Sequence, residues 1–165
     1  MSARSAAQAL DLLVRHSATL AVAESLTGGL IGATITEVPG ASRAFRGGLI
    51  AYSTDLKHDL LGVPPELLRR EGAVHPEVAA AMAAGAARVC GADYGLAVTG
   101  VAGPDPQDGR AVGTVHVAVW GPGGRVWRRD LLLAGSREEI RRATAEAAVE
   151  LLAGVLKAAV GEHFG

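Results

Sequence analysis

The stretch that decides the fold is Thr19-Leu-Ala-Val-Ala-Glu-Ser-Leu-Thr-Gly-Gly29, which runs on into Leu30-Ile-Gly-Ala-Thr-Ile-Thr36. Residues 19–23 form a short apolar run of strand length, bounded by a Ser/Thr/Gly turn. Residues 30–36 read as a helix that stops before Pro39-Gly40. A buried strand that turns through paired glycines into a helix is the opening of an α/β layer. The same alternation continues outward. Leu10, Leu13 and Val14 lie at helical spacing, so residues 3–16 precede the strand as a helix.

Downstream, residues 48–52 (GLIAY) read as a second strand, followed by a short helix, TDLKHDLL, capped by Ser53 and closed by Gly62. Pro64 and Pro65 start a further short helix that stops near Gly72. Pro76 occupies a first helical position, and an Ala-rich helix runs from it to Gly91. Residues 93–99 form the third strand. Residues 112–120 and 125–133 flank Pro122-Gly-Gly124 as a hairpin. Ser136 with Glu139 is a capping box for a final helix ending near Val160. The expected order is therefore α-β-α-β-α-α-α-β-β-β-α. It predicts a single-domain α/β/α layered sandwich over residues 1–165, with a mixed, mostly parallel sheet and a C-terminal hairpin.

Composition fits this reading. The chain has 165 residues, enough for one domain with its own core. Hydrophobic residues make up 49% but aromatics only 4%, so the core must be built from Leu, Val, Ile and Ala. With 16 basic and 17 acidic residues the net charge is -1, which provides no general field for nucleic acid or a membrane surface. Cys90 is the only cysteine, so no intrachain disulfide and no cysteine-built zinc site can form. The N-terminal residues carry Asp11 and Arg15 without a long apolar run, unlike a secretory signal or a membrane span; the expected location is cytoplasmic. The five histidines (16, 58, 75, 116 and 163) show no metal-binding spacing, so neither a metal nor a cofactor is expected.

Ligands of such sheets bind at the loops after the carboxyl ends of strands. Three segments qualify. In the first, Ser25 stands at a strand tip where a nucleophile can be held rigidly, and Thr27, Gly28 and Gly29 open a helix whose amides suit an anion. The alternative is a Ser/Thr helix cap with glycines placed for packing. In the second, Tyr52 ends a strand and Lys57 follows in the first turn of a helix, where the helix dipole disfavours the charged amine. A neutral lysine can act as a general base; the alternative is a solvated lysine beside a core-edge tyrosine. Of the 16 basic residues only Lys57 and Lys157 are lysines and the other 14 are arginines, so a lysine here points to a position that needs a titratable amine. In the third, Thr99-Gly-Val-Ala-Gly103 ends a strand and suits phosphate or carboxamide binding, while Asp105 and Asp108 read as solvated turn residues.

Taken together, these stretches resemble the CinA C-terminal domain family, whose characterised members include stand-alone nicotinamide-nucleotide amidohydrolases. The family's A-E-S-C-T-G-G corresponds to Ala23-Glu-Ser-Leu-Thr-Gly-Gly29. Gly40-Ala-Ser42, Phe45 and Tyr52-Ser-Thr-Asp-Leu-Lys57 match its G-[SA]-S, F and Y-S-N-x-x-K. Glu71-Gly-Ala-Val-His-Pro-Glu-Val78, Thr99-Gly-Val-Ala-Gly-Pro104 with Arg110-Ala-Val-Gly-Thr-Val115, and Gly135-Ser-Arg-Glu-Glu-Ile-Arg141 match the remaining motifs in order. The chain departs from the pattern at Leu26 (Cys), Thr54 (Asn), Glu71 (His), His75 (Ser) and Arg110-Ala111 (Lys-Pro), none of which touches Ser25, Tyr52 or Lys57.

The resemblance implies hydrolysis of the carboxamide of nicotinamide mononucleotide to nicotinate mononucleotide and ammonia, a step of pyridine nucleotide salvage, with no metal. It implies Ser25, Tyr52 and Lys57 as the catalytic set. It implies Thr27, Gly28, Gly29, Ser42, Thr99, Gly100, Gly103 and Arg137 as substrate-binding residues, with Arg43, Arg46, Arg110 and Arg137 all open as the phosphate arginine. The expected assembly is a homo-oligomer, a dimer being one form. Two rival readings are a nucleotide- or phosphate-binding module without catalysis and an amidase for another carboxamide.

Overall fold

The sheet of this protein, in a computed structural model describing residues 2–162, is laid out in the order β2-β1-β3-β4-β5. The elements follow one another as α1 (Ser2–Arg15), β1 (Leu20–Glu24), α2 (Leu30–Thr36), β2 (Phe45–Ile50), α3 (Thr54–Asp59), α4 (Pro65–Glu71), α5 (Pro76–Cys90), β3 (Tyr94–Gly100), β4 (Thr114–Trp120), β5 (Val126–Leu132) and α6 (Arg137–Glu162). This is the expected order. β1 pairs in parallel with both β2 and β3, and β4 is antiparallel to its neighbours β3 and β5. Four of the five strands therefore point the same way, and β4 alone opposes them.

The two faces of the sheet are built from different side chains. Leu20, Val22, Leu96, Val98, Val115, Val117 and Val119 pack with α1, α2 and α6. On the other face Ala21, Ala23, Ala97 and Ala118 meet α5. Small residues let α5 approach closely: a Cβ on Gly95 would stand 1.9 Å from the carbonyl oxygen of Ala83. An aromatic-poor sequence thus fills one face with branched aliphatics and the other with helix backbone, giving the three α/β/α layers. The capping box also forms: the Glu139 amide donates to Ser136 Oγ at 3.2 Å and the Ser136 amide donates to Glu139 Oε1 at 3.1 Å, setting the start of α6.

The second strand differs from its expected bounds. It covers Phe45–Ile50 and not residues 48–52, because its partner β1 ends at Glu24, which faces Ile50. One more bond, from the Ala51 amide to the Glu24 carbonyl at 2.9 Å, closes the pairing. Tyr52 lies beyond it and is 60% exposed, so it is neither a strand end nor a core-edge residue. His163 lies outside the described residues.

The chain leaves β1 towards β2 on one side, while β3 flanks β1 on the other. A crevice at the carboxyl end of β1 follows from that split. The turn after β1, the segment after β2 and the loop after β3 all meet there.

Candidate active site

Ser25 is the first residue after β1 and is 6% exposed. Lys57 sits in α3 and is 1% exposed. Side chains of a helix lean towards its N-terminus, which carries this amine back over residues 51 and 52. Its Nζ donates to the carbonyl oxygens of Ala51 at 2.8 Å and Tyr52 at 3.1 Å, and lies 2.9 Å from Ser25 Oγ. The two carbonyls can engage two N–H bonds of a neutral amine and so leave its lone pair for the serine hydroxyl. Burial pushes the Lys57 amine down to about 8, and the Asp108 carboxylate opposes that shift. The sequence reading gave the helix dipole as the cause; desolvation is the cause in the structure. It also set the Tyr52 phenol beside the amine. Instead Lys57 meets the main chain of Tyr52, and the phenol oxygen accepts from Arg137 at 3.3 Å.

A cavity of about 360 Å³ opens over the serine, lined by Ser25, Leu26, Tyr52, the 100–107 loop and Arg137. Arg137 also donates to the Gly103 carbonyl. Of the four arginines left open by the sequence, Arg137 lines this cavity. Arg46 bonds the Cys90 carbonyl, Arg110 reaches Glu71, and Arg43 is exposed in the turn before β2. A larger hollow of about 430 Å³ lies at the other end of the sheet, between Leu12, Tyr94 and Trp127, and shares no residue with the serine site.

The remaining expected binding residues divide into two groups. Gly100 and Gly103 line the cavity. Thr99 is buried and its hydroxyl donates to the Ala73 carbonyl at 2.8 Å. Ser42 is exposed in a 3-10 turn and does not line the cavity. Thr27 is fully buried and is not among the lining residues. The amides from Gly28 into the helix start are engaged: Gly28 donates to the Ser25 carbonyl at 3.1 Å, and Gly29, Ile31 and Gly32 donate to the Glu24 carboxylate at 3.1, 3.0 and 3.0 Å. An internal carboxylate thus fills the helix start that the sequence reading assigned to a substrate anion. Among the described residues, the amide of Leu26 donates to no protein group.

Sequence reasoning passed over two residues of this site. Glu24 is an acid at the end of an apolar strand directly before a helix start, which is itself the signal for a carboxylate on helix amides. Arg141 stands four residues after Arg137, so both face the same side of α6. Its Nε and a terminal nitrogen donate to the carbonyls of Leu26 at 2.9 Å and Thr27 at 3.1 Å. Asp108 is an exposed turn residue, as expected, and its carboxylate in addition accepts from the Ala73 amide at 3.0 Å.

Membership of a family follows from comparison with known proteins. The chain is 54% identical over 143 residues to a CinA-like protein of Frankia casuarinae, covering 87% of this chain and 33% of that one. It is 46% identical over 150 residues to a CinA-like protein of Myxococcus xanthus, covering 89% and 35%. It therefore spans about a third of the length of these curated relatives. Solved structures match along nearly their whole length. The competence/damage inducible protein CihA of Agrobacterium tumefaciens superposes with a TM-score of 0.88 at 35% identity, over 94% of this chain and 95% of that one. A CinA superfamily protein of Enterobacter cloacae gives 0.91 at 29% identity, over 94% and 92%. The model of the CinA C-terminal domain matches residues 2–156, and the chain belongs to that family.

Proposed function

We propose that this chain hydrolyses the carboxamide of nicotinamide mononucleotide, releasing ammonia and nicotinate mononucleotide. The observation that carries the reading is the buried contact of 2.9 Å between Ser25 Oγ and Lys57 Nζ, with the amine lowered to about 8. At pH 7 roughly a tenth of such an amine is neutral, against a negligible fraction for an ordinary lysine. Ser25 Oγ bonds to the carboxamide carbon as its proton passes to Lys57 Nζ, and the carbonyl oxygen becomes the oxyanion. The Leu26 amide, beside Ser25 in the cavity wall, is the donor available to that oxyanion. As the C–N bond breaks, Lys57 returns the proton to the leaving nitrogen and ammonia departs. Water then attacks the acyl-enzyme with Lys57 again taking its proton, and Ser25 is regenerated.

The cavity volume falls within the roughly 300–1,000 Å³ of small-ligand sites. Arg137 at its wall supplies a cation for the phosphate. The test is ammonia release by the purified chain with chelator present, comparing the mononucleotide, free nicotinamide and unrelated amides. Release from the mononucleotide above all others supports the reading. Release from another amide makes the chain a different amidase, and binding without release makes it a nucleotide-binding module.

A further inference from the structure

We infer that Arg141 is a positioning residue for the serine turn, pinning the carbonyls of Leu26 and Thr27 and thereby holding the Leu26 amide in place as oxyanion donor. The inference rests on the proposed role of Ser25 as nucleophile. Both guanidinium bonds end on main-chain carbonyls of the two residues that follow Ser25. Glu24 fixes the Gly29 end of the turn and the Leu30 amide also reaches the Thr27 carbonyl at 3.1 Å, but Gly28, at a positive φ of 58°, has no side chain to lock the stretch between, and the Leu26 carbonyl is held by Arg141. A Cβ on Gly28 would stand 3.3 Å from the Arg141 guanidinium, so the glycine also leaves the arginine its room.

The coupling runs through planar peptides. A peptide carbonyl and the N–H that follows it lie in one plane on opposite sides. Arg141 holds the Thr27 carbonyl and with it the Gly28 N–H, which donates to the Ser25 carbonyl at 3.1 Å. The Ser25 carbonyl in turn fixes the plane that carries the Leu26 N–H. Arg141 also holds the Leu26 carbonyl, at the far side of the same residue. An arginine outside the cavity lining thus sets the direction of the one amide of the turn that is both beside Ser25 and without a partner among the described residues. Lysine offers a single point of charge and cannot span two carbonyls with a fixed fork.

The experiment uses an alkyl fluorophosphonate, which needs no knowledge of the natural substrate. Ser25 Oγ bonds to phosphorus, fluoride leaves, and the serine proton passes to Lys57. Mass spectrometry reads the adduct on Ser25 over time and pH for wild type, Arg141→Gln and Arg141→Lys, with melting temperatures alongside. Arg141→Gln should label on the order of ten- to a hundredfold more slowly, as expected of a misplaced oxyanion donor, and Arg141→Lys should recover part of the loss. The pH at half-maximal rate should not move, because the partners of Lys57 are untouched. In steady-state hydrolysis the loss should fall on kcat and leave KM near its wild-type value.

Wild-type labelling rates in Arg141→Gln, or in Arg141→Lys should the glutamine variant not fold, overturn the inference. So does a pH midpoint that shifts with the rate, which would put the damage at Lys57. A wild type that labels at Ser25 but releases no ammonia overturns the proposed substrate alone and leaves the clamp standing. A wild type that does not label overturns both.

Discussion

The carboxylate of Glu24 accepts the amide of Gly29 at 3.1 Å, five residues along the chain, and through it joins the end of β1 to the start of α2. The same side chain takes the amides of Ile31 and Gly32, and it is 2% exposed. Three helix-start donors that would otherwise face a ligand are satisfied from within. The serine turn is therefore a rigid mount for Ser25 and not an anion cradle.

Replacing Glu24 by Gln tests that mount. The amide keeps one acceptor oxygen but turns an NH2 towards the Gly32 or Ile31 amide, setting donor against donor. Charge-assisted bonds of this kind are worth about 1.5–3 kcal/mol each, so Glu24→Gln should lower unfolding stability by roughly 2–3 kcal/mol. Denaturant unfolding with an unchanged m-value checks it. A loss below about 0.5 kcal/mol, the range of ordinary surface changes, would show that the three bonds hold nothing in place.

The elements that legibility favours are those set by local pattern. The capping box at Ser136 and Glu139, the proline start of α5 and the apolar run of β1 each announce themselves within a few residues. Ser25 and Lys57 were legible for the same reason, as polar residues just past strands. The bounds of β2 were not legible, because they depend on where β1 stops. The phenol of Tyr52 was misplaced because its direction depends on Arg137, 85 residues away. Asp108 is exposed in its turn as expected, but its bond to the Ala73 amide was not legible, because that partner comes from a distant turn.

Ser25→Ala should abolish ammonia release, with a loss of several orders of magnitude, because one member of a catalytic unit accounts for most of its effect. Melting should change little, since the hydroxyl lies at a strand tip and not in either apolar layer. A variant retaining a tenth of the activity would remove Ser25 as nucleophile and favour an activated water.

Tyr52→Phe separates direct from relayed proton transfer. Lys57 touches Ser25 directly and meets only the main chain of Tyr52. Removing the phenol oxygen should therefore cost less than about tenfold in kcat, with any larger effect on KM through the loosened Arg137. A kcat loss of roughly a hundredfold or more, the size of a general acid-base contribution, would reinstate the phenol in the proton path.

Lys57 gives the pH predictions, and their sign follows from its lowered value. The amine titrates at about 8 in the folded chain against 10.5 for an ordinary lysine, so it is the neutral form that folding favours. The rate should rise with pH up to about 8 and then level off, because the base is the neutral amine. Lys57→Arg keeps the charge but not the titration, so it should lose on the order of a hundredfold or more, as Lys57→Ala does, and show no rising limb.

The same amine affects stability. Below pH 8 the folded chain must hold a buried charge, and the penalty is present in full. Between about 8 and 10.5 the unfolded chain binds more protons than the folded one, so stability rises with pH across that window. The full relief from a shift of this size is roughly 3 kcal/mol at 1.36 kcal/mol per pH unit. Lys57→Met removes the titration, so the stability of wild type relative to Lys57→Met should climb between pH 8 and 10.5 and stay flat below 8. Urea unfolding of both proteins at several pH values measures the difference. A difference that is flat across the whole range would mean that the amine is no easier to deprotonate folded than unfolded, and Lys57→Arg retaining most of the activity would then make it an anchor for substrate and not a base.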